Sequence, residues 1–154
     1  MIVNVIDQQL ALKISVVQVQ QMVQQVILEE GQTCDEVNIY FVDTPTICQL
    51  HEQFFQDSSP TDCISFPLDE DDDEKSPYRI LGEVFICPAT AVKYAEQHQM
   101  NSYEETTLYI VHGLLHLMGY DDLTDDDRYL MRQAEEHHIR QLKQIDKQLL
   151  PSTN

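Results

Sequence analysis

The stretch VHGLLHLMGYDD, residues 111–122, decides how the rest of the chain is read. His112 and His116 stand four residues apart, Gly119 comes three residues later, and Asp122 three after that. On a helix, side chains at i and i+4 share a face with their Cβ atoms about 5–6 Å apart. Two imidazoles at that separation can chelate one ion at Zn–N distances of about 2.0–2.1 Å. The surrounding pattern predicts such a helix over residues 103–118, opened by a capping box of Ser102 and Glu105 and stopped at Gly119. Leu108, Val111, Leu115 and Met118 form its core stripe, and Leu114 and Leu117 make it apolar nearly all round, the mark of a buried helix. Histidines within it need polar partners. A glycine just past the last turn can take positive φ and reverse the chain, which would bring Asp122 back towards the histidines. Two nitrogens and a carboxylate oxygen, with a fourth position left for water, make the donor set of a catalytic zinc site. His112 and His116 are therefore the candidate catalytic residues and, with Asp122, the candidate ligands of one Zn2+ ion. The ordinary alternative is a helix that happens to carry two histidines. The glycine stop and the aspartate at its offset favour the metal. No such context surrounds His51, His98 or the adjacent His137-His138.

Outward from this helix, short β-type runs alternate with amphipathic helices. Residues 2–6, 37–42, 63–66 and 82–87 read as strands. A helical stripe at Val16, Val19, Met22, Val23, Val26 and Ile27 has Ser15 as its N-cap and Gly31 as its stop. Thr44-Pro45 opens a second helix to about residue 55, with Ile47, Leu50 and Phe54 inward. Pro88 opens a third to about residue 99, with Ala91, Val92 and Ala95 inward. Thr124 and Asp127 cap a long last helix whose face is Leu130, Met131, Ala134, Leu142, Ile145 and Leu149. This order implies an α+β fold in a single domain: a small mixed β-sheet of about four strands, covered by about five helices, with the metal site on a central helix. The domain is expected over residues 1–150, with residues 151–154, PSTN, as a flexible tail. The acid run within LDEDDDEKSPYR, residues 68–79, is too charged to pack and reads as an exposed hairpin-type loop.

Composition sets the outer bounds. The 154 residues and 42% hydrophobic content suit one core. No run is long and apolar enough to cross a membrane, and Gln8-Gln9 interrupt the N-terminus before a signal-like core develops, so a soluble, cytoplasmic chain is expected. Cys34, Cys48, Cys63 and Cys87 form no CxxC pair, which excludes a zinc ribbon or a thioredoxin-like motif and leaves buried free thiols. The net charge of −18 argues against unspecific electrostatic binding of nucleic acid, which needs Lys and Arg on phosphates.

The spacing His-x3-His-x2-Gly-x2-Asp matches that of the metzincin proteases, with Asp in place of their last histidine. Where those proteases carry the glutamate that serves as general base, this chain has Gly113, so a metallopeptidase-like hydrolase is only the alternative. The residues resemble another family more fully. HGLLHLMGYDD is similar to the H-G-x-L-H-L-x-G-Y-D-H signature of the YbeY family of bacterial endoribonucleases and rRNA maturation factors. PTDCISFP, residues 60–67, resembles the family's P-T-D-V-L-S-F-P, and LGEVFIC, residues 81–87, its L-G-D-I-x-I. The three segments keep the family's order and spacing over roughly residues 37–138.

The resemblance implies a metal-dependent endoribonuclease specific for single strands. Its expected role is 16S rRNA 3′-end maturation and ribosome quality control, and its partners ribosomal RNA and the small ribosomal subunit. The family's three zinc-binding histidines map onto His112, His116 and Asp122. Thr61, Asp62 and Ser65 become candidates to line the cleft, with turn and strand-edge polar residues as the alternative. The family's arginine before the P-T-D segment maps onto Phe55, so either another residue such as Arg79 or Lys93 substitutes or the activity is altered. A non-catalytic ribosome-associated factor, holding a basic ribosomal protein or GTPase through the acidic surface, is the third reading.

Overall fold

The computed structural model describes residues 1–68 and 77–151. The acid run at 69–76 and the tail residues 152–154 lie outside the described residues. Among the described residues, four strands and five helices follow in the order β1 (Ile2–Asp7), α1 (Val16–Glu29), β2 (Glu36–Phe41), α2 (Thr44–Phe55), β3 (Cys63–Pro67), β4 (Ile80–Ile86), α3 (Pro88–His98), α4 (Ser102–Leu117) and α5 (Asp125–Gln144). The sheet order is β1-β2-β4-β3. β1 and β2 are parallel, β2 and β4 are parallel, and β3 runs antiparallel to β4 at the edge. The chain is a single α+β domain with a mixed sheet, as its element order implied.

Side chains alternate across the sheet. One face presents Val37, Ile39, Phe41, Val84 and Ile86 to a core shared with α1 and α4. The other carries Ile64 and the partly buried Tyr40, Phe66 and Phe85 beside Ile47 of α2. Helix α4 is the hub: it packs on α1, α3 and α5 and lies against β3 and β4. Ten of its residues are buried, polar Thr106 and Thr107 among them. Their hydroxyls donate to the Ser102 and Tyr103 carbonyls four residues back, which satisfies them inside the core.

Gly113 explains the closest approach of α4 to the sheet. A Cβ there would meet Val84 Cγ1 at 2.5 Å. The Ser65 hydroxyl donates to the Gly113 carbonyl at 2.9 Å across the same contact. The position that a peptidase would fill with glutamate is therefore closed by packing.

Several expected details shift. The N-cap of α4 is Asn101, which accepts from the Tyr103 and Glu104 amides, and Ser102 is the first helical residue. Asn, one of the strongest N-caps, takes the end one residue earlier than the S-x-x-E pattern suggested, and Glu105 is buried instead of reaching back. Ser15 and Thr124 cap α1 and α5 as read from the sequence. Phe54 is 52% exposed although its ring meets Phe66 edge-on at 4.8 Å. On α5 the buried face runs through Met131, His138 and Leu142, seven and four residues apart, which turns neighbouring Leu130 outward. The cysteines are free, and Cys87 alone among them is fully buried.

Candidate active site

His112 and His116 lie on the last turns of α4, and Gly119 at φ 100° reverses the chain just beyond it. The reversal brings Asp122 back beside the helix end: its Oδ2 lies 3.4 Å from His116 Nε2 and 3.7 Å from His112 Nε2. The two Nε2 atoms are 3.1 Å apart. One donor atom from each of the three residues falls within 4.8 Å of the others, a group that could hold a metal ion.

The other ring nitrogens are occupied. His112 Nδ1 lies 2.8 Å from Glu135 Oε2 on α5, and His116 Nδ1 lies 3.1 Å from the Tyr120 carbonyl oxygen. An anionic carboxylate and a carbonyl only accept, so each Nδ1 carries a hydrogen, and in the neutral ring each Nε2 then has its lone pair on the side of Asp122. This is how metal-ligating histidines are oriented by a shell of outer partners. Burial by itself disfavours the charged His112 ring; the Glu135 hydrogen bond and the carboxylates of Glu135, Asp62 and Asp122 outweigh it and raise the pKa.

The turn that carries Tyr120 is itself pinned. The Tyr120 hydroxyl donates to Glu30 Oε1 at 2.9 Å, just past the end of α1. Glu30 Oε2 lies 2.6 Å from Nε2 of His138, which is 1% exposed on α5. Burial, then the Glu30 bond, raises the Tyr120 pKa and keeps the phenol a donor.

The histidines and Asp122 border an open cleft of about 590 Å3 whose walls include Phe55, Thr61, Asp62 and Ser65. β3 supplies Ser65 on the face towards α4, where its hydroxyl is committed to Gly113. Asp62 Oδ1 accepts from the Cys63 amide at 2.7 Å and from the Thr61 hydroxyl at 3.3 Å. Cys63 borders the cleft too; burial pushes its pKa well up, reinforced by Asp62, Glu135 and Asp122, so it stays a thiol. Arg79 lies elsewhere, bonded to the Thr33 carbonyl and to Gln32. Neither it nor the exposed Lys93 is among the residues that line the cleft.

Sequence reasoning missed Glu135, which sits in an unremarkable polar stretch of α5 and reaches His112 only because α5 packs on α4. It also missed His51, which lines the cleft from α2. Nothing local marks either residue.

Fold and site together define a small α+β protein with a His-His-Asp group in an open cleft. The family model for Endoribonuclease YbeY matches residues 4–143. An Endoribonuclease YbeY of Protochlamydia amoebophila is 57% identical over 145 residues, covering 94% of this chain and 95% of the relative. One of Chlamydia trachomatis serovar D is 39% identical over 119 residues, covering 77% of this chain and 73% of the relative. The solution structure of a Thermotoga maritima protein superposes with a TM-score of 0.65 at 22% identity, over 92% of this chain and 89% of that one, which supports the fold. The chain belongs to the endoribonuclease YbeY family, hydrolases acting on RNA. These matches favour neither the peptidase-like nor the non-catalytic reading.

Proposed function

We propose that this protein is a zinc-dependent endoribonuclease that cuts single-stranded RNA. In this reading it acts in 16S rRNA 3′-end maturation and ribosome quality control, in the cytoplasm and on the small ribosomal subunit. The observation that carries the reading is the convergence of His112 Nε2, His116 Nε2 and Asp122 Oδ2 with both Nδ1 atoms already engaged. Two imidazoles and a carboxylate suit zinc, and they leave room for a further ligand. A bound zinc would act as a Lewis acid on a phosphoryl oxygen. Glu135 and the Tyr120 carbonyl hold the two rings in the ligating tautomer, and Asp122 supplies a negative charge. Asp62, whose Oδ1 is engaged by the Thr61 hydroxyl and the Cys63 amide, places a carboxylate at the cleft wall. The net charge of −18 supports contact with a basic ribosomal protein or a GTPase on the ribosome.

The test compares purified protein on single-stranded RNA and on an unfolded protein substrate, with and without chelator, beside His112→Ala. Cleavage of RNA alone, lost with chelator and in the variant, is expected. RNA cleavage that survives in His112→Ala, or cleavage of the protein substrate lost in it, would overturn the reading.

A further inference from the structure

Among the described residues, the cleft is bordered by the carboxylates of Asp62, Asp121 and Asp122 and by no lysine or arginine. An RNA backbone brought against these walls releases few counterions, so little of its affinity comes from phosphate contacts with cationic side chains. The cleft offers a different handle. Phe55, the last residue of α2, borders it and is 56% exposed.

That phenyl is braced. Its ring lies 5.6 Å from the ring of His51, one turn earlier on α2 and also on the cleft wall. His51 Nδ1 donates to the Ser59 carbonyl at 2.8 Å, which fixes the imidazole beside it. Gln56 follows at φ 58° with its amide bonded to the Glu52 carbonyl, so Phe55 sits on a closed helix end. Neighbouring Phe54 packs against Phe66 of β3 and ties the same turn to the sheet. The result is a held aromatic ring, largely open to solvent, on the cleft that contains the metal group.

We propose that Phe55, backed by His51, is a stacking platform for one unpaired nucleobase of the RNA strand in the cleft. The proposal rests on the nuclease reading above and deepens it. Stacking on an aromatic ring works with any base and needs no positive charge, which suits walls as acidic as these. A base inside a duplex has its faces covered by neighbours, so the platform also favours single strands. The cleft volume of about 590 Å3 is within the range of sites that take ligands of nucleotide size.

The test is steady-state cleavage of a short single-stranded oligoribonucleotide and of versions lacking one base at successive positions. Wild type is compared with Phe55→Ala, Phe55→Leu and Phe55→Trp. Phe55→Ala is expected to raise KM by about fivefold to a hundredfold, with the loss falling on KM and not on kcat. Phe55→Trp restores KM and Phe55→Leu does not. One missing base raises the wild-type KM by a similar factor and has no such effect in Phe55→Ala. An unchanged KM in Phe55→Ala, full rescue by leucine, or a missing-base penalty that persists in Phe55→Ala overturns the platform while leaving the nuclease reading intact. A wild type that cuts no RNA overturns both.

Discussion

His112 and His116, one helical turn apart on α4, bring their Nε2 atoms to 3.1 Å with Asp122 3.4 and 3.7 Å away. His137 and His138, adjacent on α5, also have carboxylates beside them, yet they diverge. The His137 side chain is 56% exposed and 3.6 Å from Glu29. His138 is buried, and its Nε2 is spent on Glu30 at 2.6 Å. Acids near histidines are thus not enough to gather donor atoms that could share one ion. What distinguishes the α4 pair is that outer partners take Nδ1 on both rings and leave both Nε2 atoms beside one carboxylate. The α5 pair builds structure instead: His138 joins α5 to the end of α1 and, through Glu30, to the Tyr120 hydroxyl.

The sharpest contrast is in stability. His138→Ala leaves Glu30 partly buried without its hydrogen bond from α5 and should cost about 1–3 kcal/mol in urea unfolding, with metal content unchanged. Wild-type stability in that variant would show that the α5 pair is not structural. Glu135→Ala should act the other way round. It releases the His112 ring and should weaken metal binding by about 10- to 100-fold in a competition titration. Unchanged affinity would mean that the outer partner does not orient this ligand.

Protons should compete with metal at His112. Its raised pKa means that, without metal, the charged ring contributes stability that is fully present below the unfolded value of about 6.5. That contribution is lost as pH rises through the raised folded value. Metal needs the neutral ring, so its affinity should fall by up to about tenfold per pH unit once pH drops below the folded value. Metal titrations at a series of pH values check this, and a flat profile would contradict it. His137→Ala is the smallest effect: within about 0.5 kcal/mol of wild-type stability, because its contact with Glu29 is exposed.

The contrast between the two histidine pairs was half legible in the sequence. The i, i+4 spacing, the apolar helix around it and Gly119 are local, and the reversal they implied is found at φ 100°. Strand and helix positions were legible for the same reason, since period and turn residues are short-range signals. Asn101 as the true cap was hidden by an equally good pattern one residue later. The strand order β1-β2-β4-β3 depends on which edges meet after collapse, which no local pattern encodes. Glu135 and Glu30 reach their histidines across helix–helix contacts 23 and 108 residues apart in the chain. Gly113 was noticed for the glutamate it lacks, whereas its physical reason is the Val84 methyl 2.5 Å from where a Cβ would stand.

His112, His116 and Asp122 should act together as one metal centre. Elemental analysis of protein purified without chelator tests it most directly, with wild type, His112→Ala, His116→Ala, Asp122→Ala and His137→Ala measured side by side. About one zinc per chain is expected in wild type and in His137→Ala, with a large loss in each of the other three. A full equivalent of metal retained in His112→Ala would contradict the account.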